Sequence, residues 1–470
     1  MADVVAACLE SPGSTYQSAD QVKDAAQALS QTGICTLCVL RYLPLELGPA
    51  YPTRSAADTL QELGVTGEPA EAPCPACLGI LNYELADQII DAYAAQQFDA
   101  QDAAVGVELP RSVFVRHRAM QLFCADRGIG RADAAVDVKD AFKHMVAQRL
   151  AAACGVTMLG DSPMRIDVTL LHAESAAETR FLGADESKTA FLSALRDCDE
   201  HMFRTHAACP PAAPQTPARL GPVSLRRASL LIGGRYLKLE RNVSQTPFII
   251  EGRRVTEHSV SELIGAPLQK LTRCDSCNLV GSGREDADVR MLGAGRPFYI
   301  ECINPRVTRV TPAQLRAVEE SLGASPVRAR LLQTIRPQDT AVIKQGEESK
   351  TKLYCALVWL AAPLDAQRLE EINQQGALVL QQKTPVRVLH RRAPLTRAKR
   401  VLRLELVHLE GRFYKLRVEA EAGTYIKEFV HGDLGRTVPS LAQMAGVPAD
   451  ILELDVENVS LDFPPPLPSS

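Results

Sequence analysis

Apolar and polar positions follow two different periods along this chain. Residues 18–33, 81–97 and 138–155 place apolar residues at helical spacing, and the last of these segments ends on a glycine. Residues 164–172 and the start of 107–124 alternate as strands do. This alternation of helices and strands predicts an α/β or α+β accessory domain in the first 215 residues.

Strand-like segments dominate the second half of the chain. They are residues 227–239, 296–303, 352–360 and 400–422, with a helical segment at 312–323. This pattern predicts an α+β domain with a mixed, largely antiparallel sheet flanked by helices. Between the halves, residues 207–222 contain five prolines and no acidic residue, which excludes a central helix or strand. We therefore expect one domain over 1–215 and another over 216–463.

Composition and charge narrow the class of protein. The chain has 470 residues, 46% hydrophobic and 23% charged, which excludes a disordered, collagenous or small disulfide-rich protein. Neither a transmembrane run nor a signal peptide is recognisable, so we expect an intracellular location and no membrane partner. Residues 1–215 carry 16 Lys+Arg against 28 Asp+Glu, or −12, whereas residues 216–470 carry 36 against 28, or +8. The basic half favours a polyanion partner, although drift in composition gives the same asymmetry.

Thirteen cysteines in a chain without a secretory signal favour thiols and metal ligands over disulfides. Cys35, Cys38, Cys74 and Cys77 form two C-x-x-C pairs, which together supply the four thiolates of a closed structural zinc site. The alternative is two unrelated pairs of thiols in loops beside helices.

A third C-x-x-C pair, Cys274 and Cys277, has no second pair nearby in the sequence. A metal or redox role is possible for such a pair. Two ordinary thiols near a strand or turn are the preferred interpretation.

Three polar segments of the second half are candidates for a catalytic site. Residues 281–297 combine glycines, which allow a tight turn, with Arg284, Glu285 and Asp286. They match neither phosphate-loop pattern, GxGxxG nor GxxxxGK[ST]. The second segment carries Tyr354 near the start of a strand, and the third places Lys427 on a helix after a turn. Taken alone, the first segment also fits a solvated loop, the second a core or cross-strand tyrosine, and the third an amphipathic helix with a solvated polar face.

Taken in order, GSGREDADV, KLYCALV and GTYIKEFV resemble the three motifs of the pseudouridine synthases. Residues 220–460 resemble the tRNA pseudouridine synthase 10 branch of that family. Over 1–215 the two C-x-x-C pairs, placed before an RNA-binding module of the THUMP type, are similar to the same branch. The resemblance implies an isomerase that needs no organic cofactor, a structural zinc ion and a tRNA substrate.

The resemblance also implies roles for single residues. Asp286 occupies the position of the catalytic nucleophile, and Tyr354 that of a tyrosine that stacks on the target base. Arg284 corresponds to an arginine that holds the target nucleotide out of the stack. Lys427 lies where relatives carry a basic residue, often arginine, that pairs with the aspartate.

Two basic segments fit contact with RNA phosphates. The forefinger loop (residues 246–258) contains Arg253 and Arg254, and the thumb loop (residues 384–400) contains Arg387, Arg391 and Arg392. We therefore expect a monomeric tRNA pseudouridine synthase of the nucleus or cytoplasm that modifies uridine 54 or 55 of the T-arm. The alternative is an RNA-binding or RNA-processing factor whose isomerase activity is secondary.

Overall fold

The computed structural model describes the chain except residues 1–3, 12–13, 46, 48–55, 67–71, 131–134, 184–186, 345–350, 391 and 467–470. The chain divides into two compact units, residues 1–227 and 228–470. Among the described residues, no helix has the length and apolar character needed to cross a membrane.

The first unit combines helices with a small sheet. Its helices are α1 (Val4–Glu10), α2 (Ala19–Ser30), α3 (Thr36–Tyr42), α4 (Ala56–Glu62), α5 (Tyr83–Gln96), α6 (Ser112–Arg127), α7 (Val138–Cys154), α8 (Lys188–Asp197) and α9 (Glu200–His206). Its strands are β1 (Asp102–Glu108), β2 (Thr157–Met158), β3 (Met164–Leu171) and β4 (Arg219–Arg227). The sheet order is β2-β1-β3-β4, with β1 parallel to both neighbours and β4 antiparallel to β3.

The helices predicted in this unit are present and begin or end at the expected residues. Ser18 caps α2 by accepting a hydrogen bond from the Gln21 amide, and Gly155 ends α7 with a left-handed backbone. The strand predicted at the start of 107–124 is wrong beyond Glu108, because those residues form α6. Buried residues at 113, 116, 120 and 123 recur at helical rather than strand spacing.

The first unit extends beyond the predicted boundary at residue 215. Strand β4 continues to Arg227 and pairs along β3, with Leu225 opposite Ile166. Part of the proline-rich segment therefore enters a strand, and Pro222 is tolerated there because β4 lies at the edge of the sheet.

The second unit is built on one large sheet. Its strands are β5 (Leu230–Lys238), β6 (Ile249–Ile250), β7 (Arg253–Arg254), β8 (Ser276–Gly281), β9 (Arg290–Ile303), β10 (Val327–Thr334), β11 (Thr351–Leu360), β12 (Leu378–Lys383), β13 (Thr396–Glu410), β14 (Phe413–Glu421), β15 (Thr437–Val438) and β16 (Ala449–Val459). Its helices are α10 (Val260–Thr272), α11 (Pro312–Ser321), α12 (Ala366–Asn373), α13 (Ile426–His431) and α14 (Leu441–Ala445).

The large sheet runs β10-β5-β9-β16-β11-β14-β13-β12-β15, and β8 also pairs with β9. Only the β16–β9 pairing is parallel among the described strands of this sheet, so the predicted mixed, largely antiparallel α+β fold is confirmed. Helices α10 to α14 pack against the sheet through apolar residues such as Ile264, Leu268 and Phe429. The central strands β9, β11 and β16 carry or flank the polar segments singled out in the sequence.

Candidate active site and cysteine clusters

The acidic loop (residues 282–289) joins β8 to β9, and buried basic side chains hold its backbone. The Lys238 ammonium donates to the carbonyl oxygens of Asp286 and Ala287 at 2.9 and 3.2 Å. The Arg296 guanidinium donates to the Ser282 carbonyl at 2.8 Å. Gly283 has a φ of +79°, and a Cβ there would lie 3.2 Å from the Lys352 ammonium. These contacts fix the main chain of the loop, so its side chains remain available for other interactions.

Glu285 turns away from solvent into a buried ionic network. Its carboxylate accepts hydrogen bonds from Arg296 at 2.7 Å and from the Tyr236 hydroxyl at 3.0 and 3.1 Å, and Lys238 lies 4.0 Å away. Burial lowers the pKa of Lys238, against the attraction of Glu285. Burial, reinforced by the Glu285 charge, raises the pKa of Tyr236. Glu285 thus anchors the loop, while the next residue, Asp286, faces outward.

Asp286 opens onto a cleft of about 500 Å³, a volume in the range of small-ligand sites. The residues that line it come from the acidic loop, β9, β11, the thumb loop, α13 and β16; they include Gly283, Arg284, Asp286, Arg296, Lys352, Tyr354, Arg387, Arg392, Tyr425, Lys427 and Val456. The three segments proposed from the sequence therefore meet at one site.

Two cations approach the Asp286 carboxylate. Arg387 lies closer, with its Nη1 3.1 Å from Asp286 Oδ2, and Lys427 Nζ lies 3.5 Å from the same oxygen. Lys427 makes its shorter contact with Asp288, at 2.7 Å. The residue that donates a hydrogen bond to Asp286 is therefore an arginine of the thumb loop, and the Lys427 ammonium is shared between two carboxylates.

Arg387 is itself held by a buried acid. Its Nε donates to Glu428 Oε1 at 2.7 Å, and the Glu428 side chain is 1% exposed. Burial lowers the pKa of Arg387, but the hydrogen bond to Glu428 and the charges of Glu428 and Asp286 together outweigh burial and raise that pKa. Glu428 follows Lys427 on α13, so this helix supplies one of the two cations and binds the other through Glu428.

Tyr354 and Arg284 lie in the same cleft. Tyr354 is on β11, where it pairs with Val418 of β14 and Val456 of β16. Burial raises the pKa of Tyr354 to about 12, partly offset by the nearby Arg296 charge. The Arg284 side chain is exposed at the mouth of the acidic loop. The cleft thus joins the Asp286 carboxylate, the aromatic ring of Tyr354 and several cationic side chains, among them Arg284, Arg387 and Lys427.

The arginines predicted to contact RNA occupy different surroundings. Arg392 lines the cleft, 3.5 Å from the Tyr425 hydroxyl, whereas Arg391 lies outside the described residues. Arg253 and Arg254 form the exposed β6–β7 hairpin and do not line the cleft. Arg254 is engaged by Glu262, with N–O distances of 2.5 and 2.9 Å.

Several residues of the site were not identified from the sequence. Lys238, Arg296 and Glu428 are buried polar residues within apolar segments, and only their position in the sheet or helix reveals them. Lys352 lies two positions before Tyr354 on β11, on the same face, and strand alternation could have revealed it.

The first cysteine cluster forms where the sequence predicts. The Sγ atoms of Cys35, Cys38, Cys74 and Cys77 all lie within 4.8 Å of one another. The Cys35 amide donates to Cys74 Sγ at 3.3 Å, and Arg41 Nη1 lies 3.4 Å from Cys38 Sγ. Four converging sulfurs with hydrogen-bond donors beside them fit a tetrahedral metal ion.

A second cluster was missed by the sequence interpretation. Cys302 joins Cys274 and Cys277, and the three Sγ atoms also lie within 4.8 Å of one another. The sequence separates Cys302 from the C-x-x-C pair by an entire hairpin, so its proximity depends on the strand register.

Sequence models of two protein families match the chain. One, described as "Pus10, C-terminal", matches residues 231–460, and the other, "Eukaryotic Pus10, N-terminal", matches residues 74–223. The tRNA pseudouridine synthase Pus10 of Xenopus laevis is 31% identical over 509 residues, covering 95% of this chain and 99% of the relative. The Homo sapiens protein of the same name is 35% identical over 420 residues, covering 84% and 79%. A crystal structure of a Cbf5-Nop10-Gar1 complex aligns over 47% of each chain at 19% identity, with a TM-score of 0.27.

Proposed function

Because this chain belongs to the Pus10 family of tRNA pseudouridine synthases, we propose that it isomerises uridine in the T-arm of tRNA, at position 54, position 55 or both. The family assignment makes it an isomerase. The T-arm positions follow from the resemblance of the motifs, and the geometry of the cleft supports the roles proposed below.

The reaction rearranges bonds within one nucleotide. The N1–C1′ bond breaks, the base turns, and a C5–C1′ bond forms. The proton on C5 is lost and N1 gains one, so no electrons enter or leave. The protein must supply a nucleophile that holds the ribose or the base while the bond is open, and groups that keep the base in place.

Asp286 is the proposed nucleophile. Its carboxylate is 39% exposed to the cleft, and its main chain is held by Lys238 and by the anchor at Glu285. Arg387 and Lys427 lie within 3.1 and 3.5 Å of its Oδ2 and orient the carboxylate. Arg387 acts here as a positioning residue, because its guanidinium bridges Asp286 and the buried Glu428.

Tyr354 and Arg284 would hold the extruded base. Aromatic rings stack on flipped or unpaired bases, and Tyr354 presents its ring in the cleft beside the acidic loop. With a pKa of about 12, the Tyr354 hydroxyl keeps its proton at neutral pH and cannot itself take the C5 proton. We assign it to stacking. Arg284 would occupy the space that the extruded nucleotide leaves.

The tRNA backbone would be bound by the thumb and forefinger loops. Arg392 and Arg253 are exposed and carry the positive charge that phosphates require. Arg254 contributes less, because Glu262 already neutralises it.

The first cysteine cluster fits a structural zinc ion bound by Cys35, Cys38, Cys74 and Cys77. Four thiolates fill a tetrahedral ion, which would stabilise the fold and leave no position for substrate. Cys74→Ser should remove one equivalent of zinc and lower the melting temperature of the first unit, whereas Cys154→Ser, a half-buried thiol outside the cluster, should do neither. Unchanged zinc in Cys74→Ser would contradict the site.

The observation that carries the catalytic proposal is the position of Asp286 between Arg387 and Lys427 in the cleft that Tyr354 also lines. The test is position-mapped pseudouridine formation in an unmodified tRNA transcript. Asp286→Asn should abolish product while retaining tRNA binding, and the matched control Asp288→Asn should remain active.

Two results would contradict this proposal. Activity in Asp286→Asn would exclude it as the nucleophile. Tight tRNA binding by the wild type without any product would favour the alternative of an RNA-binding factor.

A further inference from the structure

Three cysteines of the second unit converge although the sequence separates them. Cys274 follows α10, Cys277 lies on β8, and Cys302 lies opposite Cys277 on β9. The Sγ atoms of Cys274 and Cys277 are 3.5 Å apart, and those of Cys277 and Cys302 are 3.9 Å apart. All three are free thiols.

These separations are those of thiolates around one ion. Metal–sulfur bonds of about 2.3 Å place two sulfurs roughly 3.8 Å apart at the tetrahedral angle and about 4.0 Å apart in a trigonal plane. In the first cluster, Cys35 and Cys77 are likewise 3.9 Å apart. Cys274 and Cys302 are buried, while Cys277 is half-buried and leaves a route for an ion.

Helix α10 packs beside this cluster of three cysteines. Gly265 of α10 faces Cys277, and a Cβ at that glycine would lie 3.3 Å from the Cys277 Cβ. Asp275, between the first two cysteines, is hydrogen-bonded to Asn304 and Arg306. No fourth Cys, His, Asp or Glu joins the three sulfurs within the described part of the chain.

We propose that Cys274, Cys277 and Cys302 bind a thiophilic d10 cation. Soft thiolate ligands select both Zn²⁺ and Cu⁺. Three thiolates satisfy Cu⁺, whereas Zn²⁺ would also bind a fourth ligand from outside the protein. The binding would join the end of α10 to β8 and β9.

The proposed ion site lies on the same β8–β9 hairpin whose loop carries Asp286. In the β8–β9 hairpin, the Gly281–Phe298 pair borders the acidic loop, and the Cys277–Cys302 pair lies near the opposite end. An ion there would hold together the far end of the hairpin that carries Asp286. It is remote from the substrate and has no part in the chemical step.

The test counts metal in the reduced full-length protein after loading with Zn²⁺ alone or with Cu⁺ alone and removal of free ion. Cys277→Ser is compared with Cys355→Ser, since both thiols are half-buried on strands of the same sheet and only Cys277 is in the cluster. Both variants retain the first cluster. Cys277→Ser should hold one equivalent less than Cys355→Ser in at least one arm, and the arm that shows the loss identifies the ion.

Equal metal content of the two variants in both arms would overturn the proposal. A Cys274–Cys277 disulfide that persists in reductant and blocks loading would overturn it too. If Cys277→Ser does not fold, alkylation of the wild-type thiols with and without metal tests the site instead. Bound metal should slow the modification of Cys277 relative to Cys355, and equal modification with and without metal would refute the site.

Discussion

From the contact between Arg387 and Asp286 we predict how much the substitution Arg387→Gln slows the chemical step. The sequence assigned Arg387 to phosphate contact, whereas its Nη1 lies 3.1 Å from Asp286 and its Nε bonds to buried Glu428. A hydrogen bond to a charged group contributes about 1.5–3 kcal/mol. At about 1.36 kcal/mol per tenfold, Arg387→Gln should slow the chemical step roughly 10- to 150-fold.

Lys427→Gln should have a smaller effect. Lys427 lies 3.5 Å from Asp286 and donates its hydrogen bond to Asp288 instead, and an ion pair without a hydrogen bond at this half-exposed carboxylate contributes about 0.2–1 kcal/mol. The expected slowing is no more than about fivefold by the same conversion.

The assay is single-turnover pseudouridine formation with the enzyme in saturating excess over tRNA, so that the rate reports steps after binding. Arg392→Gln is the control, because Arg392 lies in the same loop and cleft but contacts Tyr425 rather than Asp286. It should weaken tRNA binding and leave the saturated rate unchanged. A urea midpoint for each variant checks that the loss of the Glu428 partner has not unfolded the protein.

A wild-type saturated rate in Arg387→Gln, together with weakened binding, would refute this reasoning. Arg387 would then act on phosphate, as the sequence suggested. A larger loss in Lys427→Gln than in Arg387→Gln would assign the positioning role to the lysine.

Three further predictions concern stability, pH and RNA affinity. Glu285→Gln should destabilise the second unit by about 3–5 kcal/mol in urea, because it leaves buried cations unpaired; Glu421→Gln, which breaks a surface pair, should cost at most about 1 kcal/mol. Tyr354→Phe should keep the wild-type pH–rate profile between about pH 6 and 10, because a pKa of about 12 leaves the hydroxyl neutral throughout, and an alkaline limb that disappears in the variant would contradict this. Arg253→Gln should reduce the salt dependence of tRNA binding by about one unit of slope, whereas Arg254→Gln should change it less, and the reverse order would exclude the forefinger assignment.

Some expectations remain predictions from the sequence. The location in the nucleus or cytoplasm and the THUMP character of the first unit rest on composition and on the resemblance of the motifs, and the monomeric state is the default expectation.

The amino-acid sequence by itself determined the family, the order of the three motifs and the four cysteines of the first cluster. These are local features. A spacing such as C-x-x-C, or a glycine followed by charged residues, can be recognised without knowing the fold. Alternation of apolar residues also predicted the largely antiparallel sheet, because each strand has to bury one face.

Only the tertiary structure decided which charges meet. Arg387 reaches Asp286 from a loop about a hundred residues away in sequence, and Glu428 is buried beneath it. Cys302 reaches Cys277 through the register of β8 on β9, which a shift of one residue would reverse. Electrostatic partners and metal ligands depend on distances of a few ångströms between remote segments, and such distances follow from packing and strand register rather than from local spacing.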